Sequence, residues 1–122
     1  MNASTKYNAL SVFCGSSIGN SPTYSALAYD LGQCLAKNKV TLVFGGSNVG
    51  LMGILSDSVI EAGGEAVGVY PSSTFSMDVS HKKLSKLHLV NSMHERKALM
   101  YELSDGAVAL PGGFGTLEEL TE

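Results

Sequence analysis

The chain has 122 residues, 44% of them hydrophobic and 16% charged, and a formal net charge of −3. That length and apolar content predict one compact folded domain and exclude a disordered chain. The acidic balance leaves no basic stripe for a nucleic acid, and no apolar run reaches the roughly 20 residues needed to span a bilayer, so neither nucleic acid nor membrane is an expected partner.

The polar opening MNASTKYN lacks the apolar centre of a secretory leader, which makes the cytoplasm the expected compartment. The first predicted strand is ALSVFC at 9 to 14. Ser21 followed by Pro22 then signals a helix start. Tyr24, Leu27, Ala28, Leu31, Cys34 and Leu35 follow as an apolar stripe at helical spacing, ending near Asn38. VTLVF at 40 to 44 is a second strand. A second helix is predicted from Gly50 to Ala62, stopped by Gly63 and Gly64. EAVGVY at 65 to 70 is a third strand, and 71 to 85 reads as a loop rich in serine. KLHLV at 86 to 90 is a fourth strand. A third helix starts at Ser92, where Ser92 and Glu95 form a capping box, and ends at Ser104-Asp105-Gly106. GAVALP at 106 to 111 is a fifth strand, and Gly115 to Glu122 reads as the first two turns of a further helix.

Several of these strands are continuous apolar runs, as parallel strands covered on both faces are. Their alternation with helices predicts an α/β fold, Rossmann-like in the broad sense: an open parallel sheet with helices on both faces. Cys14 lies in an apolar run and Cys34 on the expected buried face of the first helix, neither with metal-ligand spacing, so both read as reduced structural thiols. His81, His88 and His94 share no metal-binding spacing either.

In open parallel sheets ligands bind beyond the carboxyl ends of the strands. Three loops there look specialised: CGSSIGNS at 14 to 21, FGGSNVGLMG at 44 to 53 and LPGGFGTLEE at 110 to 119. The last two hold Gly45, Gly46, Gly50, Gly53, Gly112, Gly113 and Gly115, seven of the chain's 14 glycines. Glycine lets backbone N–H groups approach an anion, and a following helix N-terminus adds favourable potential, so phosphate is the expected guest. Glycines after strands also serve simply as tight turns, and one such loop alone would decide nothing. None of the three matches the dinucleotide pattern GxGxxG after the first strand or the nucleotide-hydrolase pattern GxxxxGK[ST]. Ser16 and Ser17 in the first loop, Gly45, Gly46, Ser47 and Gly50 in the second, and Met93 are candidates for additional pocket wall.

Arg96 is the only arginine, the other seven basic residues being lysines. A guanidinium holds phosphate or carboxylate through paired donors, a geometry lysine does not copy. A surface ion pair with Glu95 or Glu102 is the plainer role for such a residue. Glu118 and Glu119 point about 100° apart if helical, so one of them is expected to face the anion-binding loop. There a carboxylate can hold ribose hydroxyls, orient water or stabilise a cationic sugar transition state.

FCGSS at 13 to 17, GGSNVGLMG at 45 to 53, SMHERKALM at 92 to 100 and PGGFGTLEE at 111 to 119 together resemble, in order and spacing, the LOG (Lonely Guy) family of nucleoside 5′-monophosphate phosphoribohydrolases. The last segment is similar to the family's PGGxGTxxE signature without a mismatch. The resemblance implies hydrolysis of the N-glycosidic bond of a purine nucleoside 5′-monophosphate, a cytokinin riboside monophosphate or AMP, to free base and ribose 5-phosphate, with no metal or organic cofactor. By position Arg96 and Glu119 match the family's catalytic pair. Lys97 and the run Gly112, Gly113, Phe114, Gly115, Thr116, Leu117 and Glu118 match its nucleotide contacts, and Asp78 stands where many plant members have Glu. Sequences of this kind are also described as lysine decarboxylases. Pyridoxal chemistry requires a Schiff-base lysine with a partner acid for the pyridinium, and no such pattern is found. A nucleotide-binding or carrier protein on the same scaffold is the alternative of a different class. The resemblance further implies a homodimer and a chain that lacks the C-terminal strand and helices of the family, leaving the strand at 106 to 111 at an edge.

Overall fold

The computed structural model describes residues 8–14, 22–72 and 83–110. In chain order these form β1 (Ala9–Phe13), α1 (Pro22–Lys37), β2 (Thr41–Phe44), α2 (Gly50–Glu61), β3 (Ala66–Pro71), β4 (Lys86–Val90), α3 (Met93–Leu103) and β5 (Gly106–Ala109). All five strands are parallel, in the order β4-β3-β2-β1-β5. The predicted α/β fold is the observed one. The chain steps from β1 out to β4 and then returns to the other side of β1, which puts the reversal of strand order between β1 and β5.

Successive residues on a strand point to opposite faces, so each short run feeds two cores. Val12, Leu42, Phe44 and Ala66 pack with Ala28 and Leu35 of α1 and Leu51, Leu55 and Val59 of α2. Phe13, Val43 and Val69 point the other way, against Met100, Leu99 and Leu103 of α3. Right-handed crossovers require this division, since the connection that reverses direction must cross the opposite face. Full burial of a side chain such as Leu55 or Phe44 stabilises by about 1.5–3 kcal/mol.

The face of α1 differs from the predicted stripe. Tyr24 and Cys34 are exposed and Leu27 is 45% exposed, while Ala28, Gly32 and Leu35 are buried. The cause is the closeness of α2: a Cβ at Gly32 would stand 2.6 Å from Ser58 Cβ and 2.7 Å from the Leu55 carbonyl oxygen. Ser58 Oγ donates to the Tyr29 carbonyl at 2.6 Å, and Gln33 Nε2 donates to the Ser58 carbonyl at 3.0 Å. Small residues and polar groups make the contact, and the larger apolar ones flank it. At the rim Tyr29 donates its hydroxyl proton to Glu61 at 2.9 Å, and this bond and the carboxylate charge hold the phenol above its usual pKa.

On the other face α3 is fastened at its C-terminal end. The buried Ser11 hydroxyl donates to the Met100 carbonyl at 3.1 Å and is hydrogen-bonded to Ser104 Oγ. Asp105 accepts from the backbone N–H groups of Asn8 and Ala9 at 2.8 and 3.1 Å, tying the entry of β5 to that of β1. Among the described residues β5 pairs with β1 alone, and Ala107 and Ala109 are exposed. No helix among the described residues is long and apolar enough to cross a membrane.

Candidate functional site

The carboxyl ends of the strands carry the described part of the candidate site. Leu110 N–H donates to the Phe13 carbonyl at 2.8 Å, and Phe13 and Ala109 stand in register. The chain therefore leaves β1 and β5 at adjacent points, at the reversal of strand order where ligands of open α/β sheets bind. Cys14 ends β1 within the apolar core, buried as expected.

α3 starts beside this edge. Ser92 has extended backbone, φ −153° and ψ 165°, and its side chain accepts from Glu95 N–H at 3.1 Å. Glu95 Oε2 in turn accepts from Asn91 N–H at 3.4 Å, so the predicted reciprocal cap forms with the carboxylate reaching one residue farther back than a standard capping box. The cap fixes the first turn, and Arg96 falls at the fourth helical residue with its side chain toward the sheet.

Arg96 is 6% exposed, which removes the surface ion pair with Glu95 or Glu102 as its role, both of those residues being exposed. Together with Val12, Phe13, Cys14, Gly45, Met52 and Met100 it lines a small cavity, and its guanidinium lies against Gly45. A guanidinium at the binding edge of a parallel sheet presents paired N–H donors where ligands of such sheets bind.

Of the sequence candidates, the structure brings Gly45 to Arg96. Gly46 turns away with φ +83°, and a Cβ there would stand 3.1 Å from Tyr70 Cβ. Ser47 is buried and its hydroxyl accepts from Val49 N–H at 3.2 Å, holding the turn into α2. Gly50, with φ 60°, is the first residue of α2, whose N-cap Val49 makes no side-chain cap hydrogen bond. Lys97 is half-buried and Met93 is 39% exposed, on the outer side of α3. Ser16, Ser17, Asp78 and the run from Gly112 to Glu119, with Glu119 itself, lie outside the described residues.

Met52, 9% exposed in the first turn of α2, is a wall of the Arg96 cavity that sequence reasoning passed over. Its position within GGSNVGLMG was the available signal. A wider cleft of about 450 Å³, lined by Asn8, Ala36, Lys39, Val40, Thr41, Gly63, Gly64 and Glu65, opens at the amino edge of the sheet. It is larger, but it faces away from the strand ends where parallel sheets bind ligands. Among the described residues no three His, Cys, Asp or Glu side chains group as metal ligands.

The family model described as possible lysine decarboxylase matches residues 52–122. A protein of Rhodococcoides fascians named cytokinin riboside 5′-monophosphate phosphoribohydrolase is 47% identical over 115 residues, 93% of this chain and 58% of its own length. One of the same name from Arabidopsis thaliana is 41% identical over 122 residues, 100% of this chain and 57% of its own. The chain thus spans well under two thirds of the length of these relatives. Among solved structures, the molybdenum cofactor binding protein of Rippkaea orientalis superposes with a TM-score of 0.80 at 27% identity, covering 96% of this chain and 70% of that one. The molybdenum cofactor carrier protein of Chlamydomonas reinhardtii superposes at 0.77 with 22% identity, covering 95% and 69%, a likeness of fold.

Proposed function

The chain belongs to the LOG family, whose family model carries the description possible lysine decarboxylase, and on that premise we propose that it serves hydrolysis of the N-glycosidic bond of a purine nucleoside 5′-monophosphate. Cytokinin riboside monophosphate, the substrate in the relatives' names, and AMP are the two candidates. The bond from ribose C1′ to the base nitrogen breaks. The base leaves with the bonding pair and takes up a proton, while water oxygen bonds to C1′ and gives one up. Ribose 5-phosphate is the other product.

The observation that carries the reading is Arg96, the chain's one guanidinium, held 6% exposed at the carboxyl edge beside Gly45. In this reading Asp78, Lys97 and the segment 112–118 hold the 5′-phosphate and the nucleotide, with the loops of Ser16, Ser17 and Gly46 as further wall. Arg96 orients the anionic substrate, and Glu119 engages the ribose and the attacking water. Lysine decarboxylation has no support in the described residues.

Mixing the protein with AMP or isopentenyladenosine monophosphate and following free base by chromatography tests the proposal. Base release is expected, with Arg96→Ala and Glu119→Gln lowering its rate by about 100-fold or more. Parent-like rates in both variants would remove the assignment. The solved molybdenum cofactor binding protein of the same fold favours a second reading, a nucleotide or cofactor binder or carrier, and binding without base release is its signature.

We also infer a cytoplasmic homodimer. The dimer is supported by apolar surface left on the outside, namely Leu27, Tyr101 and Leu89, with β5 at the edge of the sheet among the described residues. Sedimentation velocity is expected to give twice the chain mass, and a stable monomer at micromolar concentration would exclude the dimer.

A further inference from the structure

We propose that Gly45 is a positioning residue for Arg96: the side chain it lacks is the space in which the guanidinium sits, so that the end of β2 and the start of α3 together set where the charge lies. The inference deepens the hydrolase reading and rests on it for its catalytic consequence alone. A Cβ at Gly45 would stand 2.9 Å from Arg96 Nη1, 3.4 Å from its Cζ and 3.0 Å from Met52 Sδ. Non-bonded heavy atoms pack at about 3.5–4.0 Å, so a methyl group there and the guanidinium exclude each other.

Backbone conformation gives no competing reason for a glycine. Positive φ occurs at Gly46, Gly50 and Gly63, and Gly45 is not among them, so alanine fits its conformation. The atoms it would meet are the far ends of two flexible side chains, whereas at Gly32 they include a backbone carbonyl. Substitution at Gly45 therefore moves the tip of Arg96 and leaves the fold in place. The cavity that Arg96 lines with Phe13, Cys14 and Met100 holds only about 10 Å³, room for a water at most, so the displaced group does not settle into it.

Because Arg96 is the only arginine, its Nε–H gives a single signal in the arginine region of a nitrogen-15 spectrum, which reads its position whether or not the protein turns over a nucleotide. In the parent that proton is expected to exchange slowly with water. In Gly45→Ala it is expected to shift and exchange at the rate seen in the urea-unfolded chain, while backbone amides of α1 and α2 stay unchanged. Base release from AMP should fall by roughly 100-fold in kcat with KM little altered, as for a reacting group displaced by about 1 Å. In an Arg96→Lys background, which has no Nη1, the same substitution should add no further loss. A parent-like Nε–H in Gly45→Ala overturns the proposal, and so does failure of that variant to fold, since the glycine would then be serving the backbone. A displaced Nε–H with unchanged base release upholds the berth and overturns the part assigned to Arg96 in hydrolysis.

Discussion

On one face of the sheet α1 and α2 approach until Gly32 has no room for a methyl group between itself and a backbone carbonyl, and the core beneath is closed by Leu35, Leu51, Leu55 and Val59. On the other, α3 is the one described helix, with only Arg96 and Met100 buried, held by the Ser11 hydroxyl of β1 at the Met100 carbonyl, while Asp105 just beyond the helix accepts from the entry of β1. The first face is built from parts that cannot move apart or closer. The second trades apolar burial for a buried charge.

The largest effect that would separate the two faces comes from Gly32→Ala. The added carbon meets Ser58 Cβ and the Leu55 carbonyl, neither of which shifts without moving a helix, so overpacking is expected to cost about 1–3 kcal/mol. Urea denaturation compares it with Gly45→Ala, where flexible tips yield instead. Equal midpoints for the two variants would break the contrast.

How far the sequence revealed this architecture depended on what each contact is made of. The inner strands were legible because each is a short apolar run such as Thr41–Phe44, covered on both faces. The N-terminus of α3 was legible because Ser92 and Glu95 cap locally. The buried face of α1 was not, since hydrophobic spacing counts Tyr24, Leu27 and Cys34 and gives no weight to Gly32, which makes the contact by being small. Arg96 stood out by its singularity and its place near a helix start, but α3 has no strong apolar face from which its burial could be read. The glycines of 45 and 46 looked equivalent as a phosphate-cradling pair. Gly46 serves the turn through its φ and Gly45 faces the guanidinium, a difference that exists only once β2 and α3 are side by side.

A smaller effect sharpens the account of the α3 face. Ser11 is fully buried, and its one hydroxyl proton serves either the Met100 carbonyl, at 3.1 Å, or Ser104 Oγ, whose own hydroxyl donates to that carbonyl at 2.6 Å. Ser11→Ala removes the cross-link without leaving the carbonyl bare, so the cost should be that of one net hydrogen bond, about 0.5–1.5 kcal/mol. If the bond is what fastens the C-terminal end of α3 to the sheet, the loss is local: amides of Met100 to Ser104 should exchange with solvent faster while those of α1 and α2 keep their protection. Uniform acceleration across all three helices would mean that the two faces unfold as one unit and that α3 is as integral to the core as its counterparts. Unchanged exchange throughout would leave the apolar contacts of Met100, Leu99 and Leu103 as sufficient anchors, and would move the hold on Arg96 to its own end of the helix, where Ser92 caps the first turn and Gly45 makes room for the charge.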